Sequence, residues 1–564
     1  MLARCALLRS VFGLVAVASA FTASDLQGQE PVHIEGLGSL SFPTSGETEV
    51  QGDFLRGVLL MHSFEYGRAA DAFRKAQETD PDFAMAYWGE AMTHTHPVWN
   101  QKDAEAARAV LERLAPTAEA RLAKAPTDRE KAYLAAVEVL YGEGEKPALD
   151  TLYAAEMGKL AAAYPDDLEA QAFYAVALLG LSQGDRDVPT YMEAGAIALA
   201  AFDENPHHPG AAHYTIHSFD DPTHAILAME AARAYSLIAP NAGHAQHMTT
   251  HIFLARGLWN DVVDQNLQAV AVANRTRIER GGLASSCGHY NEWLTYGYDQ
   301  QGRYQMAADK LADCLAQSLD SERSEDARRS AAFSYVRMRG LHLVDARDGR
   351  SAAAMARLEV PEPTLTTRLI DAWGNGVAAL HRGERADAEA AYDFLMEKGD
   401  EAPRNFVTPY VPVWQGTLEA MLLADADDLD AAIEVARRAA DYEASLPIDF
   451  GPPIALKPAR ELEGELLLEN GQAAEAMAAF QRQLGRTPNR IVTLGGFARA
   501  SVAAGRTDLA ERAYRSLAQS FSRRQTRTNP SSPRRTPSFH GWPSLTDDED
   551  RRASAHSRLL RPRT

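Results

Sequence analysis

The stretch from His207 to His251 constrains this chain more than any other, because eight of its seventeen histidines fall there, four of them as two matched pairs. His213-Tyr-Thr-Ile-His217 and His247-Met-Thr-Thr-His251 each set two imidazoles four residues apart, which on an α-helix is one face. The pairs themselves recur: His247 follows His213 by 34 residues (247 − 213), and His251 follows His217 by 34 (251 − 217). That period belongs to stacked helix–turn–helix repeats, so neighbouring repeats present the same pair at the same position.

The period extends well beyond the histidines. Gly57, Ala69, Phe73, Ala76 and Pro81 stand at repeat positions 8, 20, 24, 27 and 32. Small residues at two of these let antiparallel helices approach, the aromatic fills the next interface, and proline stops the second helix. The pattern returns from Ala84 with Tyr87, Trp88 and Ala91, followed by an Ala-rich helix over Asp103 to Leu114. It continues as a helix pair between Asp128 and Tyr164, then a degenerate repeat with a lengthened turn, Leu181 to Val188. Further repeats begin at Pro209 and Gly243, and Arg275 to Cys287 reads as an inserted loop before the helix that starts near Gly288. Late units carry Gly464, Leu467, Ala476, Phe480 and Pro488, then Ala510 and Tyr514. These residues resemble the tetratricopeptide repeat family, and the expected fold is all-α, a superhelical solenoid of antiparallel helix pairs without strands. The phrases His-Pro-Gly-Ala-Ala-His and Ala-Gly-His-x-x-His-Met resemble a His-rich subgroup of exported bacterial members of that family.

In that family the first helix of each repeat lines a concave groove, chiefly through positions 2, 5, 9, 12 and 13, as the resemblance implies. Placed in that register, His213 and His217 hold positions 5 and 9, and His244, His247 and His251 hold 2, 5 and 9 of the next repeat. His289, Glu292 and Tyr296 hold the same positions in the third. The expected layers are therefore His244 with His289, His213 with His247 and Glu292, and His217 with His251 and Tyr296. An upstream group comprises His62 and His96, again 34 apart (96 − 62), and His94 four residues after Glu90. Imidazole is the commonest ligand of first-row transition ions, so His213, His217, His244, His247, His251 and His289 are expected to hold one or two ions of zinc, copper, iron or nickel, with His62, Glu90, His94 and His96 as weaker candidates. Calcium or magnesium would want oxygens. The His-Glu-x-x-His, Gly-rich phosphate-loop and Gly-x-Ser-x-Gly motifs are missing. If the site is catalytic, it works through a metal-bound water or a redox ion, with Glu292 as base and Tyr214 or Tyr296 as proton donor. A second reading stays open, in which the groove of a periplasmic scaffold binds a peptide or protein partner.

Residues Met1 to Ala20 have the form of a cleavable signal sequence, with Arg4 and Arg9, a short apolar run from Val11 to Val17, and Ala18-Ser19-Ala20. The expected location is periplasmic or secreted, with no transmembrane segment in the mature chain. The organisation that follows is an extension over 21–52, a His-rich repeat region over 53–320, a C-terminal repeat region over 321–518 and a basic tail over 519–564. A formal charge of −20 argues against nucleic acid as a partner. Past the signal only Cys287 and Cys314 remain, enough for one bridge and too few for a disulfide-built fold. His342 and His381 show no partner in the sequence.

Overall fold

Phe73 shows what holds successive repeats together. Its ring lies against both Gly57 of its own repeat and Gly89 of the next; a Cβ would come within 2.6 Å of it at Gly57 and 2.3 Å at Gly89. Phe480 occupies the same kind of slot between Gly464 and Gly496. A large ring seated on two glycine-bared helix surfaces brings three helices together, which is how the period read from sequence becomes a stack. The computed structural model describes residues 31–182, 186–360, 362–448 and 450–521. The expected signal sequence and all but the first residues of the expected tail lie outside them. Over the described residues the chain is an all-α solenoid of helix pairs, from Thr48–His62 with Tyr66–Thr79 to Ile491–Ala503 with Thr507–Phe521. None of its helices is long and apolar enough to cross a membrane, among the described residues.

Several elements differ from expectation. Two short antiparallel hairpins are present, Val32–Ile34 with Gly38–Leu40 and Thr95–His96 with Gln101–Lys102. Runs of two or three residues are too short to show strand alternation. The loop expected over Arg275 to Cys287 is shorter, because the helix Trp259–Glu279 continues into it. The helix Ala84–Met92 ends before His94 and His96, so neither occupies a helical groove position. The last helix runs on to Phe521, with only Ala510 and Ala513 buried, as an amphipathic end to the stack.

The solenoid also closes on itself. The N-terminal hairpin is stapled to the turns around the histidine repeats: Ser39 N–H donates to the His207 carbonyl (3.0 Å) and Asn241 N–H to the Gly36 carbonyl (3.0 Å). From the other end, Trp259 Nε1 donates to the Asn489 carbonyl (2.9 Å), and Phe450 stacks on His251 with ring centroids 5.1 Å apart. Gly451 sits so close to Trp293 that a Cβ would come within 2.7 Å of the ring. Arg490, wholly buried, joins Asp345 (2.7 Å), Glu461 (3.0 Å) and the Tyr296 hydroxyl (3.1 Å). One apolar core spans residues from Leu37 to Tyr214 and a second spans Ala201 to Ala500. The helix Pro209–Phe219 lies where they meet, giving Tyr214 to the first and Ala211, Ala212, Ile216 and Phe219 to the second.

The glycine slots are testable. Gly89→Ala forces its Cβ into Phe73 and should destabilise by about 1–3 kcal/mol. Gly52→Ala, on an exposed helix face with nothing within 4 Å of the added Cβ, should stabilise by up to about 1 kcal/mol. Denaturant titration of the two variants checks this; equal effects would show that Phe73 does not set the packing.

Candidate metal centre

Each histidine helix is defined by its ends and buried almost whole. Pro209 opens Pro209–Phe219 at a position that needs no N–H, and His208 caps it, Nδ1 accepting from Ala211 N–H (3.1 Å). Gly243–Ala255 follows, its Thr249 and Thr250 hydroxyls satisfied on carbonyls of their own helix. His289–Gln300 is tied at its start by the disulfide Cys287–Cys314, the bridge that the two cysteines allowed.

The geometry of the imidazoles follows from their Nδ1 atoms. His213 Nδ1 faces the His62 carbonyl at 2.6 Å. His247 Nδ1 faces Asn266 Oδ1 at 2.8 Å, an amide oriented by its own donation to the Val262 carbonyl. His251 Nδ1 faces Asp220 Oδ2 at 3.0 Å, and His217 Nδ1 faces the same oxygen at 3.5 Å. An oxygen acceptor fixes the hydrogen on Nδ1, so in the neutral form of each of the four rings the lone pair is on Nε2. Asp220 is in turn held by Arg186 Nη1 at 2.6 Å. Burial works against its ionisation, but Arg186 and the two imidazole N–H groups outweigh it and hold the carboxyl well below the usual range.

Those lone pairs converge. His247 and His251 set their Nε2 atoms 3.2 Å apart; His213 Nε2 stands 3.2 Å from Nε2 of His244, whose Nδ1 faces the Tyr290 hydroxyl at 3.5 Å. The Nε2 of His217 is buried and has no hydrogen-bond partner among the described residues. Burial, followed by the neighbouring imidazoles, keeps His213, His244 and His247 well below the usual histidine range, so these rings enter the contacts neutral near neutral pH. Two nitrogens about 2.0–2.1 Å from one ion and about 100° apart stand about 3.2 Å from each other. The potential ligand atoms fall into two adjoining trios, His213–His217–His244 and His247–His251–His289, each within 4.8 Å of one another. Phe64, Trp99, Tyr290 and Trp293 wall them in, and His289 lies exposed at the edge.

The layers expected from the 34-residue period are thus partly corrected. His217 does meet His251, with ring centroids 5.7 Å apart. His213, however, meets His244, and His247 meets His289 at 4.5 Å between centroids. The ladder contacts His213–His244 and Asp220–His251 are each 31 residues apart, one helical turn short of the repeat. Equivalent positions recur every 34 residues, but contacts between these two helices run at both 31 and 34 residues. Glu292 faces Arg337 at 3.2 Å rather than the histidines, and Tyr296 bonds Arg490 rather than joining His217 and His251. Tyr214 is turned to His62, its hydroxyl 2.9 Å from Nδ1. Of the three residues considered for proton transfer, none is directed at the converging nitrogens.

The upstream candidates also separate. Glu90 is taken up by Arg74 (2.7 Å), Arg113 and Gln77. His96 stacks on Tyr66 with centroids 4.0 Å apart, and His94 lies past its helix end. His62 instead forms a buried set with Glu169 and His208, at 2.7 and 3.0 Å from the carboxylate. With Nδ1 of His62 on Tyr214 and Nδ1 of His208 on Ala211, this set has no lone pair to spare. Gly210 makes room for it, since a Cβ there would meet the His62 ring at 2.4 Å. His342, expected to stand alone, pairs with Asp299 at 2.8 Å, and the buried His381 Nδ1 has no hydrogen-bond partner among the described residues.

Sequence reasoning missed Glu169, His208, Asp220, Arg186 and Asn266. Glu169 holds the second position of its first helix, as His244 does, but helix starts Leu168 and Pro209 are 41 apart (209 − 168), seven more than the repeat. Asp220 was hidden in an Asp-Asp-Pro phrase that reads as a cap; Asp221 does cap, accepting from Thr223 and His224 N–H, and Asp220 does not.

The fold and site together define an all-α repeat solenoid with a buried, imidazole-lined centre. No protein-family model matches the sequence, and no curated protein matches it. Among solved structures it is similar to a human IFIT1 dimer with m7Gppp-AAAA, at 11% identity and a TM-score of 0.30 over 85% of this chain and 91% of that one. It is similar also to a structure of Naa15/Naa10 bound to HypK-THB, at 14% identity and a TM-score of 0.21 over 86% and 70%. At such scores nothing about function passes from them to this chain.

Glu169 yields a pH-dependent test. Burial alone would raise its carboxyl, but His208 and His62 outweigh it and hold the value at about 2 against an ordinary 4.5. A depressed carboxyl stabilises the fold above its unfolded value and ceases to do so as pH falls through the folded one. Glu169→Gln should therefore cost about 3–5 kcal/mol at pH 7, and the deficit should shrink as pH falls from 4.5 towards 2. A deficit independent of pH, measured by denaturant titration, would show that Glu169 is not ionised in the fold.

Proposed function

We propose that this protein is exported and binds transition-metal ions through His213, His217, His244, His247, His251 and His289. The observation that carries the reading is the pair of Nε2 lone pairs of His247 and His251, buried and 3.2 Å apart, each with its Nδ1–H anchored on an oxygen. Facing lone pairs repel unless a cation lies between them. Anchoring of the second ring nitrogen is the arrangement that orients a metal-bound imidazole and raises its basicity. Zinc, copper, iron and nickel are the ions such nitrogens suit. Arg186 and Asp220 orient two rings, Asn266 a third, and the His62 carbonyl a fourth.

A helix-pair solenoid is an architecture suited to carrying partner proteins, and that role is compatible with a metal centre. The histidine stretch favours the ion over a bound peptide as its own occupant. His213, His217, His244, His247 and His251 are at most 6% exposed, covered by the chain's own Phe64 and Trp99 and, over His251, Phe450. The Cys287–Cys314 bridge supports export, since disulfides persist in oxidising compartments.

Elemental analysis of protein purified without a His tag should find stoichiometric transition metal. Asp220→Asn should weaken binding by about 10–100-fold, the usual effect of losing an orienting partner, and His33→Ala, on the exposed hairpin, should change nothing. Metal content untouched by His247→Ala and His251→Ala would remove the site. For export, a reporter fused to residues 1–30 should cross the inner membrane with cleavage after Ala20; retention in the cytoplasm would remove the localisation.

A further inference from the structure

The charges around the two trios restrict what they can hold. As metal ligands all six rings enter as neutral donors, and among the described residues no carboxylate completes either trio. Asp220 and Asp221 share Arg186, at 2.6 and 3.4 Å. Glu65 is matched by Arg68 at 3.6 Å, and Glu292 by Arg337 at 3.2 Å. The described residues therefore supply about one net negative charge beside the site. Two divalent ions would bring four positive charges into an interior walled by Phe64, Trp293 and Tyr290, and uncompensated buried charge is costly. Two monovalent ions would bring half as many. Of the ions that suit imidazole, copper is the one with a stable monovalent state, which accepts two or three nitrogen donors. The His217–Asp220–His251 grouping lies between the trios, with both Nδ1 atoms on the carboxylate, and so acts as the link between them.

Resting on the metal-binding reading above, we propose that the two trios hold a pair of copper(I) ions, one on His213, His217 and His244 and one on His247, His251 and His289. Asp220 orients a ring in each trio and so joins the two ions in one centre. His217 and His251 are the rings through which the sites touch, 5.7 Å apart.

The test is an anaerobic titration of the untagged full chain with copper(I), supplied as its acetonitrile complex against a bathocuproine competitor, with zinc sulfate titrated in parallel. Two copper(I) ions per chain should bind, and copper(I) should displace zinc(II). His244→Ala should weaken one ion by at least about tenfold and leave the other, and His289→Ala should do the converse. His289 is exposed, so its replacement tests the second ion without disturbing the core. Zinc(II) retained against equal copper(I), a single copper(I) per chain, or both variants weakening the same ion would each overturn the pairing of copper(I) ions while leaving metal binding intact. A chain that takes up neither copper nor zinc, nickel or iron would overturn the metal-binding reading itself.

Discussion

A buried imidazole has two ring nitrogens, and the interior must find a partner for each. In this protein one nitrogen of each of His213, His217, His247 and His251 is met by an oxygen: a main-chain carbonyl, a side-chain amide and a shared carboxylate. The other nitrogen of each ring is turned toward the remaining histidines. Much of the surrounding structure follows from this division. Arg186 is drawn onto Asp220 because a buried carboxylate bonded to two neutral rings still needs a counter-charge. Asn266 is held by the Val262 carbonyl so that its oxygen, not its nitrogen, faces His247.

The contrast with His62, Glu169 and His208 clarifies the point. That set is as deeply buried and equally rich in metal-ligand residue types. There, however, the lone pairs end on Tyr214 O–H and Ala211 N–H, and the N–H groups on a carboxylate. Every donor has an acceptor, so the set binds the first repeat to the later ones and asks for no ion. The neighbouring trios, of three imidazoles each, have the opposite outcome, because the oxygen partners of His213, His217, His247 and His251 sit on Nδ1.

Closure of the solenoid makes this possible. His62 lies 151 residues before the ring its carbonyl anchors, and Arg490 reaches Tyr296 across 194. Such contacts arise because the superhelix returns its first repeat and its last ones to the histidine helices. The inner face, open in a simple array, becomes an interior. Polar groups there must then be satisfied by the chain or by what it binds.

By itself the sequence determined the helix pairs, their period and which faces the histidines occupy, since these follow from local spacing: glycine beneath Phe73, proline at helix starts, imidazoles four residues apart. Cys287 and Cys314 were visible as the one available bridge. Only the tertiary structure decided which histidines meet. The packing of neighbouring helices replaced the expected partner of His213 with His244, and the longer turn before Val188 hid Glu169 from the register. Asp220, Asn266 and the His62 carbonyl became anchors, and Glu292 was drawn to Arg337, through contacts between residues far apart in the chain. Periodicity records where a side chain sits on its own helix; the crossing and sliding of helices, set by packing over the whole core, determine what it touches.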